Sequence, residues 1–128
     1  MAIMRSPRGF TLIELLVVLA ALAALLAIAA PRYFQHVDRS REVVLRHNLA
    51  AMREAIDKFH ADRSRYPSGL QELVNERYLR ALPLDPLTER ADSWLPLGPN
   101  GQPATAVMSD VRSGAPGLAR DGTSYADW

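Results

Sequence analysis

One carboxylate, Glu14, stands inside a run from Phe10 to Ala30 in which every other residue is apolar or, at Thr11, carries a hydroxyl. An ionisable group in such a segment costs about 3 kcal/mol on membrane-insertion scales, and more when left unpaired. Glu14 therefore calls for a counter-charge. Ahead of the run lies a short leader, Met1 to Gly9, with Arg5 and Arg8 and no acid. Gly9, at the junction, is small and flexible enough to let an extended chain enter a protease. Cleavage after Gly9 frees an α-amino group on Phe10, four residues from Glu14 and within one helical turn. The chemistry these residues suit is proteolytic release of an amine followed by ion pairing. The pair can form within one chain or between two helices offset along a shared axis.

Other reactive side chains do not gather. His36 and His47 are eleven residues apart, about 16 Å along a helix, and His60 falls well round from both. They read as solvated helix residues. No Ser, His and Asp constellation, glycine-rich phosphate loop or paired-cysteine motif occurs, so the chain reads as a non-enzyme. The absence of cysteine excludes disulfides and thiolate metal sites and leaves the compartment open. A net charge of +1, from 15 basic and 14 acidic residues, carries no bias toward nucleic acid.

The element that positions Glu14 is the apolar run itself. Its 21 residues make about 31 Å of helix, the thickness of a bilayer's hydrocarbon core. A secretory signal peptide is the competing reading, because Ala27-Ile28-Ala29 before Ala30 resembles an A-x-A cleavage site. Glu14 and the length of the run speak against it. Charge counting does not orient the span, since Arg5 and Arg8 are opposed by Arg32, Arg39 and Arg41. Pro31 removes a helical hydrogen bond, which predicts a kink or local melting. Beyond it Val37, Val44, Leu45, Leu49, Met52, Ile56 and Phe59 recur with helical period and predict an amphipathic stem to about Asp62. Glu42 with Arg46, Arg53 with Asp57, and Glu54 with Lys58, each four apart, predict a charged face turned to solvent or to a neighbouring subunit.

The remaining chain, fewer than a hundred residues, allows one small head. Arg65-Tyr66-Pro67-Ser68-Gly69 ends the stem, and Ser68 is placed to cap a short helix through Arg77 that buries Leu70, Leu73 and Val74. Prolines extend Tyr78 to Pro86. Ser93–Leu97 and Ala104–Val111 are expected strands around the turn-forming Gly98 to Pro103. Two strands are marginal alone, so they are expected to pack on the stem. Ser113 to Trp128 reads as an ordered loop held by Tyr125 and Trp128. The fold class is α+β: a long N-terminal transmembrane and amphipathic helix, a short second helix, a small antiparallel sheet and the C-terminal loop.

The residues Gly9-Phe10-Thr11-Leu12-Ile13-Glu14-Leu15, followed by an apolar run and Pro31, resemble the leader and first helix of type IV pilins and type II secretion pseudopilins. The series Arg65-Tyr66-Pro67, Leu70 and Leu73, Tyr78-Leu79 and Leu82-Pro83-Leu84-Asp85-Pro86 looks like the region that follows the long helix in the major pseudopilins of type II secretion systems. The resemblance implies a leader at 1–9, a transmembrane and assembly helix at 10–30, and a periplasmic stem and head at 31–128. It implies cleavage between Gly9 and Phe10 by prepilin peptidase, N-methylation of Phe10, and assembly through Glu14 and Phe10. The expected product is a homopolymer, the periplasmic pseudopilus that drives export of folded proteins. Its expected partners are other pseudopilins, the inner-membrane assembly platform and membrane lipid. A pilin of an adhesion, motility or DNA-uptake machine is the alternative, and a membrane-tethered periplasmic binding domain is an alternative of another class. The resemblance also implies Ca²⁺ in the C-terminal loop, with Ser113, Asp121 and Asp127 as ligands and Asp110 a poorer candidate. The loop lacks the Gly-Glu-Gly and Asp-x-Asp run usual there, and Arg112 and Arg120 can neutralise the same carboxylates.

Overall fold

The computed structural model describes residues 7–128. Residues 1–6 of the expected leader, Arg5 among them, lie outside the described residues. The first helix, α1, runs over Leu12–Arg63, and the chain divides into two compact units, Met1–Val37 and Asp38–Trp128. In the first unit the apolar run is helical and its large side chains, Leu12 to Ile28, stand exposed. One window of this helix has a mean hydropathy of 2.8, long and apolar enough to cross a membrane. Pro31 lies inside the continuous helix, so the expected melting does not occur. Its missing N–H removes one bond, while the alanines before it favour the helical state.

In the second unit the stem buries Leu45, Leu49, Met52, Ala55, Ile56 and Phe59. This is the expected face with three changes, the first being that Val37 is only half-buried. Val44 points outward at 45% exposure, and Ala55, too small to stand out in a hydrophobic pattern, faces the core. Against this stripe pack Leu70 and Leu73 of the second helix, α2 (Leu70–Asn75), with Trp94, Met108 and Val111.

The cap of α2 differs from expectation. Gly69 holds the N-cap position, and Ser68, one residue earlier, donates from N and Oγ to Glu72 Oε2 at 2.6 and 2.9 Å. Arg65 Nη2 closes the other Glu72 oxygen at 2.7 Å. The helix ends at Asn75, short of Arg77. Arg77 takes φ 64, and Tyr78 and Leu79 fold their N–H groups back onto the Leu73 carbonyl.

The sheet is a single antiparallel pair, β1 (Leu95–Leu97) and β2 (Asp110–Arg112), with Leu95 opposite Arg112, Pro96 opposite Val111 and Leu97 opposite Asp110. Both strands are shorter than expected, and most of the predicted second strand is irregular. The reason is local: Ala104 and Ser109 each give one N–H to the first strand's carbonyls, while Met108 gives its N–H to Pro67 O. That last bond turns Met108 into the core instead of continuing the ladder. Val111 and Met108 are fully buried, so the sheet does pack on the stem.

Candidate functional site

At the N-terminal site, Gly9 has open space where a side chain would stand, and Phe10 is 87% exposed. Thr11 precedes the first helical residue and its Oγ1 accepts the Glu14 N–H at 3.2 Å. Thr11-Leu12-Ile13-Glu14 thus has the spacing of a capping pair, with the acid on the third helical residue. A carboxylate there also meets the positive end of the helix dipole. This is a second role for Glu14 beside that of a charge in an apolar run, and the Thr-x-x-Glu spacing is the sequence signal for it.

The second constellation lies between the stem and the C-terminal segment, and its stem residues do not pair as four-residue spacing predicts. Arg53 turns away from Asp57. Its Nε donates to Asp110 Oδ1 at 2.8 Å, and its Nη2 donates to Val111 O at 2.9 Å and to the Trp128 main-chain oxygen at 2.6 Å. Arg46 leaves Glu42 and lies 3.6 Å from Asp121 Oδ2, with its guanidinium 4.1 Å from the centre of a Trp128 ring. Glu42 instead accepts from Arg120 N and Tyr125 Oη at 2.8 and 3.0 Å. Only Glu54 and Lys58 form the expected pair, at 3.0 Å. Spacing alone misses this because α1 offers these charges a closer set of partners in a distant part of the chain.

The segment itself is ordered. A 3-10 turn over Tyr125–Asp127 sets the Tyr125 and Trp128 rings edge to face, 5.1 Å apart, and both pack against the core. Thr123 donates from N and Oγ1 to Asp121 Oδ1 at 3.0 and 2.6 Å. Those bonds, helped by Arg46, hold the Asp121 carboxyl below its ordinary range. Burial, then Glu42, pushes the Tyr125 hydroxyl up. Arg46, Leu49, Arg53, Leu118, Asp121, Asp127 and Trp128 line a cleft of about 680 Å³.

The three residues expected to hold calcium do not come together as one shell. Asp121 and Asp127 line the cleft. Ser113 is fully buried and donates to Asp85 Oδ2 at 2.6 Å. Asp110 lies in β2 and is held by Arg53. Among the described residues no three His, Asp or Glu side chains converge as a metal group. Ca²⁺ takes six to eight oxygens; of the expected ligands only Asp121 and Asp127 share the cleft, while Ser113 is turned to Asp85. His36, His47 and His60 stay exposed, the last stacked on Tyr66 at 4.1 Å.

A long N-terminal helix that is bare and apolar in its first half, continued by a stem that carries a small α+β head, defines the class of type IV pilin-like subunits. The model of the prokaryotic N-terminal methylation motif matches residues 4–30. Type II secretion system core protein G of Pseudomonas aeruginosa is 33% identical over 98 residues, covering 64% of this chain and 69% of that protein. The core protein G of Klebsiella michiganensis is 29% identical over 133 aligned positions, covering 91% and 92%. The type IV major pilin PilA of Myxococcus xanthus is 38% identical over 66 residues, covering 52% of this chain and 30% of the pilin. No solved structure matches. The chain belongs to the family of type II secretion system core protein G, the major pseudopilins.

Proposed function

We propose that this chain is a structural subunit, cut after Gly9, N-methylated on Phe10 and held in the inner membrane by residues 10–30. Its head lies in the periplasm, and its copies polymerise into the pseudopilus of a type II secretion system. The observation that carries the reading is the bare helical run with Glu14 in its first turn. A surface so apolar needs lipid or other helices around it. Once packed there, Glu14 is satisfied by the Phe10 amine of a neighbouring copy. Prepilin peptidase, the other pseudopilins and the assembly platform are the partners this requires. The family and the motif support the role of a non-catalytic subunit.

The expected results are a mature N-terminus at methylated Phe10, seen by intact mass, and a Gly9→Val precursor that stays uncut. Glu14→Leu should be processed and inserted yet yield few filaments and little secretion, because removing the charge eases insertion while deleting the pairing. A chain starting at Ala30, or full filament yield from Glu14→Leu, would sink the proposal. The Myxococcus pilin match favours, as a second reading, a pilus of an adhesion, motility or DNA-uptake machine. Deleting the gene and scoring exoprotein export against surface fibres separates the two.

A further inference from the structure

We infer that the head fastens its C-terminal segment with two arginines of α1 in place of a divalent cation, and that its fold is independent of calcium. The inference stands apart from the assembly reading. Arg46 and Arg53 are seven residues apart, two helical turns on one face. The Arg53 guanidinium joins two stretches that are remote in sequence: Asp110 and Val111 of β2, and the Trp128 main chain. Arg46 holds the same end of the segment from a second point, over the Trp128 ring and beside Asp121. A guanidinium presents five N–H donors in a rigid plane. It can therefore gather carbonyl and carboxylate oxygens as a metal does, with directed bonds.

Of the four side chains nominated for an ion, Asp110, Ser113 and Asp121 already hold hydrogen bonds, and among the described residues Asp127 alone does not. Asp110 Oδ1 accepts from Arg53 Nε and from Val111 N, both at 2.8 Å. Asp121 Oδ1 accepts twice from Thr123. The Ser113 hydroxyl donates to Asp85. An ion bound to Asp121 or Asp127 would also share its cleft with both guanidinium groups, and like charges at that range repel. The donor chemistry thus favours a resident cation that is part of the chain.

The test uses the full mature chain in detergent micelles. Thermal unfolding is followed by the fluorescence of Trp94 and Trp128, in millimolar calcium and in chelator, with amide exchange over 118–128. The expected melting temperature is the same in both solutions. Arg53→Met should lower it by about 5 °C or more and speed exchange in the segment, with no recovery on adding calcium. Arg53→Lys should recover only part, because an ammonium cannot span all three acceptors. If Arg53→Met does not fold, Arg46→Met decides by exchange alone, since that side chain is exposed and leaves the core intact. A melting temperature that climbs with calcium concentration, as linkage requires of a bound ion, would overturn the inference. So would rescue of Arg53→Met by calcium, or unchanged exchange in both methionine variants.

Discussion

Asp85 is fully buried, and its carboxylate is satisfied by short-range donors. Leu87 N and Thr88 N donate to Oδ1 at 2.8 and 3.4 Å, and Ser113 Oγ donates to Oδ2 at 2.6 Å. The first two bonds form a local turn; the third ties that turn to the chain just after β2. Asp85→Ala would leave the turn amides and the Ser113 hydroxyl without an acceptor. The expected loss is about 3 kcal/mol, read from denaturant unfolding of the full chain. Ser113→Ala should lose less, because Asp85 keeps its amide donors. Half of this site is legible in the sequence: an aspartate before a proline is a turn former. The other half is not, because no local pattern announces that Ser113, 28 residues on, completes it. The family resemblance offers the Ser113 oxygen to a metal; here its hydroxyl donates to Asp85.

Among the elements, α1 is the most legible, since its hydrophobic period reports the buried face directly. Its charged face is the least legible, because helical spacing names possible partners and says nothing of closer ones elsewhere. The sheet register is equally hidden. It depends on contacts such as Gly114, where an added Cβ would run into the Ser93 carbonyl oxygen. At α2 the unexpected cap has a measurable consequence. Arg65 first, then Ser68, lowers the Glu72 pKa from the ordinary 4.5 to about 2. A carboxylate depressed by folding stabilises the fold above its unfolded pKa, and that stability is lost as pH falls through the folded one. The melting temperature should therefore decline between pH 4.5 and 2, in part through Glu72. Glu72→Gln should flatten that portion of the profile and lower stability at neutral pH. A Glu72→Gln profile parallel to the parent's would show that the cap contributes nothing.

For the whole molecule, the anchor can be read from residues 9–31, the stem from the helical period between Val37 and Phe59, and the family from residues 9–31 with the proline-marked segments after Arg65. The closure of the head cannot, because it is made by bonds between residues as much as 83 positions apart. The same separation governs how the molecule is made. A ribosome releases Leu45 to Phe59 long before Asp110 to Trp128, whose Val111 covers that stripe while Asp110 and Trp128 hold Arg53. Distant contacts of this kind fold slowly, because loop closure precedes any gain. A chain stopped after Ser109 should keep α1 helical in micelles, yet exchange its stem amides quickly and yield quickly to protease. The full chain should resist both, and a stopped chain that resisted equally would show the stem and early head to be self-sufficient. Nascent copies therefore spend their synthesis time with the apolar stripe of the stem uncovered.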